Sequence, residues 1–152
     1  LNQVWSNMRN RKWLVHTCRL LIGLVIASNL LAAITFMLHP ELYMGGFELS
    51  GVPGKAAVAG FGILFLMWQV PYFFALADPL EYTISLISAV IMQAIGVVGE
   101  SVLKSTIPNQ HVVLRSGVNR FIVFDAAGLA LLVAAWLIVY RVRLTELGVR
   151  HV

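Results

Sequence analysis

Charged side chains are scarce in this chain. Lys, Arg, Asp and Glu make up 12% of its 152 residues, and 59% of the residues are hydrophobic. Soluble domains usually carry roughly 25% charged residues. So few polar groups cannot cover a water-facing surface of this size, which excludes an ordinary soluble globule and implies a surface that faces lipid. Cysteine is nearly missing as well. Cys18 stands alone, which excludes an internal disulfide and every paired-cysteine redox or zinc motif. The sequence contains no phosphate-binding loop, no nucleophile elbow and no H-E-x-x-H, the local patterns that would announce phosphoryl, acyl or zinc-hydrolase chemistry. No metal site is expected. Of the four histidines, His16 lies near the start of the first apolar run, and His39, His111 and His151 fall in expected loops or the tail. No two of them face each other across a bundle, which weighs against a bis-His haem. There is no tandem repeat, low-complexity stretch or Pro/Ser linker, so a single domain over 1–152 is expected.

What is present is apolar and long. Four spans are expected at about 13–38, 56–77, 81–103 and 121–140, with outer loops at 39–55 and 104–120. Each run approaches the ~20 residues needed to cross ~30 Å of hydrocarbon, and open strands cannot cross lipid. The expected fold is therefore all-α, an integral membrane four-helix antiparallel bundle. The first run follows "RNRK" like a signal peptide. It is too long and lacks a small-x-small cleavage site, and it is read as a retained span. Arg9, Arg11, Lys12, Arg19, Arg141, Arg143 and Arg150 fall on the side that holds both ends of the chain, against Lys55, Lys104, Arg115 and Arg120 on the other. The positive-inside rule then places both termini in the cytoplasm. The net charge of +4 is read as topology and headgroup contact, not as nucleic-acid binding. Trp5, Trp13, Trp136 and Tyr140 suit an interfacial belt near that face.

The connection "DPLE" between spans 2 and 3 is short enough to force a hairpin, with Pro79 marking the break. The first outer loop carries Leu42, Tyr43, Met44 and Phe47. It either lies along the membrane surface or dips into the mouth of the bundle.

Polar groups inside spans are costly, so their helical phase is informative. Ser85, Ala89, Gln93, Gly96 and Glu100 share one face of span 3. Lys55, Ala59, Gly62, Leu66 and Gln69 form a stripe on span 2, and Asp125, Gly128, Leu132 and Ala135 one on span 4. Ser28, Ala32 and Thr35 align on span 1 with Asn29 beside them. Small residues let helices approach, and Asn29, Gln69 and Gln93 are candidates for bonds between helices. The conspicuous residue is Asp125, within "NRFIVFDAAGLALLVAAWLIVY". Counted inward from the expected span ends, Glu100 and Asp125 reach similar depth on the outer side. They are expected at a shallow polar cavity with Gln93, His39 and Lys55. Three states are open for the carboxyls: pairing with Lys55, Lys104 or Arg120, sharing a proton, or holding a metal or polar ligand with His39 or Glu41. Pro71, in "WQVPYFFAL", interrupts span 2. It frees a carbonyl near Met67 for Gln69, Gln93 or water. Trp68, Tyr72, Phe73 and Phe74 beside it either line a pocket or touch lipid tails.

The arrangement resembles the DoxX-like family of small bacterial membrane proteins. The likeness rests on four spans in 152 residues, the early outer loop "HPELY", the segment "GVPGKAAVAGFGILFLMWQVPY" opening span 2, and the Glu-containing "QAIGVVGES" ending span 3. It implies a four-helix membrane fold and association with quinone-linked sulfur oxidation or with oxidative-stress complexes. It carries over no catalytic residue. The function expected first is an accessory or structural subunit of a larger membrane redox or energy-transducing complex, without catalysis of its own. The alternative is a subunit that binds a quinone, lipid or small ligand in the outer cavity, and the last choice is a small transporter. Expected partners are membrane lipids and other membrane subunits, in the cell's inner membrane.

Overall fold

The computed structural model of the chain describes residues 2–149 and, within them, the side chains of 11–145. Four helices build it: α1 (Asn2–Leu38), α2 (Gly51–Ala77), α3 (Thr83–Thr106) and α4 (Val112–Val149), with 3-10 turns Pro40–Leu42 and Met44–Phe47 between α1 and α2. There is no strand among the described residues. Each helix contains a stretch long and apolar enough to cross a membrane. α1 packs on α2 and α4, and α3 on α4 and α2, in a ring, with one diagonal ring contact, Phe65 of α2 stacking on Phe121 of α4 at a centroid distance of 6.5 Å. The α2–α3 side of that ring is the sparsest.

The helices outrun the apolar segments. α2 starts at Gly51 with Pro53 in its first turn, where the missing N–H would have no intrahelical partner anyway. α3 ends at Thr106 and α4 starts at Val112, so the second outer connection shrinks from the expected 104–120 to 107–111. Arg115 makes that tight connection possible. Its guanidinium donates to the carbonyls of Lys104, at 3.0 Å, and Ile107, which serves the unpaired carbonyls at the end of α3. Lys104 in turn donates to Asn119.

Cross-chain caps set both ends of the bundle. In the turn between α2 and α3, Asp78 Oδ1 accepts the N–H groups of Leu80 (2.9 Å) and Glu81 (3.0 Å). Arg19 of α1 donates to the carbonyl of Ala77 at 2.6 Å, and Arg143 of α4 to that of Leu80. Cations at a helix C-terminus meet the negative end of its dipole. These contacts put the early part of α1, the late part of α4 and the α2–α3 turn at one end. At the other end Glu48 caps α4. It accepts the Leu114 N–H at 3.2 Å and meets the His111 imidazole, and its backbone takes the left-handed conformation (φ 55°, ψ 30°). Nearby the outer loop lies so close to α4 that a Cβ on Gly117 would come 2.6 Å from the Gly46 carbonyl.

The side-chain phase corrects two of the expected stripes. On α2 the inward ridge is Gly54, Val58, Gly62 and Gln69, while Lys55 and Leu66 are exposed. Gly62 fixes that phase, since a Cβ there would meet the Ala33 carbonyl at 2.7 Å. On α1 Ser28 faces outward and returns its hydroxyl to the Leu24 carbonyl at 2.9 Å, while Asn29 is buried. Ile22, Tyr72, Ala75, Leu86, Leu132 and Ala135 belong to one hydrophobic cluster toward the α2–α3 turn. The outward wall is apolar, with Leu31, Met67, Ile84, Ile95 and Val123 all more than half exposed. Trp13 is exposed and Trp136 stacks on Tyr140. The side chains of Trp5 and Arg9 and the whole of Arg150 lie outside the described residues.

Candidate functional site

The half of the bundle away from the α2–α3 turn encloses a cavity of about 420 Å³, within the usual range for small-molecule sites. Two features of the sequence create it. The sparse α2–α3 side leaves a gap between Leu64 and Trp68 on one helix and Ile95 and Leu103 on the other, all of them cavity-lining and substantially exposed. Gly96 and Gly99 then supply a wall without side chains on α3.

The remaining walls are aromatic. Phe36 of α1, Phe61, Phe65 and Trp68 of α2, and Phe121 of α4 line the space, and Phe47 enters it from the outer loop. Phe47 stacks on Phe121 at a centroid distance of 5.6 Å and tilts against Phe61 at 5.4 Å. Phe36 meets Phe65 and Phe121 edge-on at 6.2 and 6.0 Å. Such offset and edge arrangements are the favoured ones for aromatic pairs. The outer loop therefore divides its roles. Phe47 dips into the mouth of the bundle and Tyr43 packs on Phe36 at 4.8 Å, while Leu42 stays exposed.

Two carboxyl groups complete the lining, Glu100 of α3 and Asp125 of α4. Asp125 is 5% exposed. Its Oδ1 accepts the Gln93 amide at 2.8 Å, and Gln93 Oε1 accepts the Tyr72 hydroxyl at 2.7 Å. The Tyr72 oxygen also lies 3.3 Å from the Ala89 carbonyl. A polar chain thus runs from α2 through α3 to α4. Glycines make room for it: a Cβ on Gly96 would collide with the Asp125 carboxylate, and one on Gly128 would come 2.8 Å from the Gln93 amide nitrogen. Since α4 starts at Val112, Asp125 lies ~20 Å along the helix, at ~1.5 Å per residue. That is deeper than a span beginning at 121 would place it. Glu100 is partly buried, and its Oε2 is enclosed with no hydrogen-bond partner.

The structure brings Gln93, Glu100 and Asp125 together and leaves His39 and Lys55 out. His39 is exposed, 3.7 Å from Glu41, and Lys55 is exposed on the first turn of α2. Neither lines the cavity. The pairing of the carboxyls with bases is also not what is found. Lys104 is turned to Asn119, Arg120 is exposed, and neither Glu100 nor Asp125 is ion-paired among the described residues. Among those residues no three His, Cys, Asp or Glu side chains converge in a way that would hold a metal ion. Gln69 is buried but gives its amide to the Phe65 carbonyl of its own helix at 3.0 Å. With Gln93 engaged by Tyr72 and Asp125, neither amide turns to Met67 below Pro71. Of the aromatic group near Pro71, Trp68 lines the cavity, Tyr72 is buried in the polar chain, and Phe73 and Phe74 are exposed.

Of the cavity rings, the sequence pointed to Phe47, in the loop that dips into the bundle mouth, and to Trp68; it did not mark Phe36, Phe61, Phe65 and Phe121, which come from three helices and share no single local spacing. Comparison with family models, with curated protein sequences and with solved structures finds no match to this chain.

Proposed function

We propose that this chain is a multi-pass membrane protein that takes a lipid-soluble small molecule from the bilayer into the cavity, through the gap between α2 and α3. One observation carries the reading: an aromatic cavity of about 420 Å³ has two carboxyl groups in its wall and exposed apolar residues of two sparsely packed helices at its rim. Pockets that bind small molecules combine such a mainly apolar lining with a few convergent polar groups. The rim residues belong to helices apolar enough to lie in lipid, so a ligand dissolved in the membrane reaches them without crossing water. The geometry thereby favours a ligand-binding protein over a purely structural subunit of a complex. A resemblance to the DoxX-like family makes a quinone one candidate ligand.

The proposal includes a location and an orientation. The cell's inner membrane is its place, and the end bearing Arg19, Arg143 and the α2–α3 turn faces the cytoplasm, as the positive-inside rule favours. The cavity then lies in the outer half of the bilayer. No catalytic step is assigned.

Gly99 offers the test. It lines the cavity, and a Cβ there would meet nothing within 4 Å. Gly99→Leu fills the space from its wall. In nanodiscs, with Trp5, Trp13 and Trp136 replaced by Phe so that the signal comes from Trp68 alone, quenching by a decyl-substituted benzoquinone or by a lipophilic cation should saturate in that parent and vanish on adding Gly99→Leu. Quenching by both probes that rises linearly, and equally in the two proteins, would mean simple partitioning into lipid and would end the proposal.

A further inference from the structure

The chemistry of the lining is one-sided. The side chains of six aromatic residues face the space, those of Phe36, Phe47, Phe61, Phe65, Trp68 and Phe121, and among the described residues the polar side chains that line it are, apart from the Trp68 indole, Glu100 and Asp125. No Lys, Arg, His, Ser, Thr or Asn among the described residues lines it. The nearby cations are turned elsewhere, Arg120 being exposed. Lys104 is held by Asn119, and Arg115 by the carbonyls of Lys104 and Ile107. One carboxyl oxygen, Asp125 Oδ1, is served by Gln93, while Glu100 Oε2 is enclosed without a partner.

An anionic ligand would meet two acids and no base there. A neutral carbonyl ligand could be served only by the Trp68 indole N–H or by a carboxyl that keeps its proton, since an ionised carboxylate has no hydrogen to donate. An organic cation suits every part of the wall. Aromatic faces attract cations, most strongly where water is excluded. A carboxylate in apolar surroundings is costly unless a counter-charge accompanies it or it takes up a proton, and among the described residues no cation lines the cavity to supply that charge. The apolar rim between α2 and α3 requires that the cation also be soluble in lipid.

We infer that the cavity's ligand is a hydrophobic organic cation, an amine or onium ion with apolar substituents, whose charge sits at Glu100 and Asp125 and whose substituents lie against the phenylalanine cluster and Trp68. This rests on the reading that the cavity takes a ligand from the membrane, and it names the class.

The test uses the full chain in nanodiscs with two probes, tetraphenylphosphonium as a permanent cation and a decyl-substituted benzoquinone as a neutral lipophile. Binding is followed by calorimetry and, with Trp5, Trp13 and Trp136 replaced by Phe, by Trp68 quenching. Glu100→Gln is the main variant, because Glu100 Oε2 makes no hydrogen bond whose loss would disturb folding. Asp125→Asn, which keeps an acceptor for Gln93, is the second. The expected result is saturable binding of the cation to the parent, weakened at least ~10-fold in either variant, which corresponds to ~1.4 kcal/mol. The neutral probe should bind more weakly and respond little to either change. Saturable binding of the quinone without the cation, or cation binding that both variants retain, would overturn the inference and leave the ligand-binding reading standing. Saturable binding of neither probe would overturn both.

Discussion

Gln93 and Asp125 join α3 to α4 through an amide–carboxyl hydrogen bond of 2.8 Å, with both residues at least 95% buried. Gln93 is closed off and Asp125 reaches only the cavity, so the value of the bond lies mostly in what its loss would leave behind. Asp125→Leu strands a buried amide donor, which costs about 1–3 kcal/mol. Asp125→Asn places a carbonyl oxygen where Gln93 needs an acceptor. Thermal unfolding in detergent should therefore show a clear loss for Asp125→Leu and a small one for Asp125→Asn. Equal losses would mean that the charge, and not the acceptor, holds the helices.

The glycines form a graded series. At Gly62 an added Cβ meets the Ala33 carbonyl and Met37 Cγ, each at 2.7 Å, and the Met37 nitrogen at 3.1 Å. Two of those three neighbours are backbone, so the α1–α2 contact must open. At Gly128 the obstacle is the end of the Gln93 side chain, which can move only by giving up its bonds to Asp125 or Tyr72. At Gly60 a Cβ meets nothing. Gly62→Ala should destabilise by about 1–3 kcal/mol, as overpacking generally does, and Gly128→Ala by a similar amount through the buried bond it breaks. Gly60→Ala should be neutral or stabilising by about 0.5–1 kcal/mol, the usual gain of Ala over Gly inside a helix. Chemical denaturation of the three variants side by side checks the order, and a stable Gly62→Ala would contradict the close helix approach.

Much of this was legible in the chain because lipid is an unforgiving solvent. The apolar runs mark four helices, and the buried positions of Gln93, Asp125, Gly128, Leu132 and Ala135 follow from the cost of polar atoms and the use of small residues between helices. Two kinds of information were not local. Helix ends beyond the apolar core depend on caps from distant segments, as Glu48 caps α4 and Arg115 caps α3. The phase of α2 was set by Gly62 against Ala33, which moved Lys55 outside. The cavity was the least visible feature. A space is made by residues that fail to touch, and rings as far apart in sequence as Phe36 and Phe121 leave no spacing to read.

Tyr72 tests the reach of the polar chain. Its hydroxyl is its only polar side-chain atom, and it donates to Gln93 at 2.7 Å. Tyr72→Phe preserves the ring within the hydrophobic cluster and removes only the bond. The expected loss is about 1 kcal/mol, or about 0.6 kcal/mol if the bond behaves like the average one between membrane helices. A double-mutant cycle with Gln93→Leu should return a coupling of that size, since the two residues touch. Additive losses would show that Tyr72 leans on the Ala89 carbonyl instead.

Glu48 gives the outer loop a dependence on acid. Its bond to His111, followed by its bond to the Leu114 N–H, holds the carboxyl below its ordinary value of 4.5. The folded carboxylate thus binds a proton less readily than the unfolded one. Its contribution to docking the loop is complete above about pH 4.5 and is lost as the pH falls through the lower, folded value. Hydrogen exchange at Leu114 and in the segment Met44–Phe47, corrected for intrinsic rates, should accelerate in that acid range while the centres of α3 and α4 stay protected. Glu48→Gln should abolish the acid step and leave Leu114 less protected at neutral pH, because the neutral amide is a weaker acceptor than the carboxylate. The consequence extends to the cavity. Phe47 is adjacent to Glu48 in the chain and stacks on Phe121, so release of Glu48 frees the ring that enters the cavity mouth. An acid step that persists in Glu48→Gln would assign it to another group.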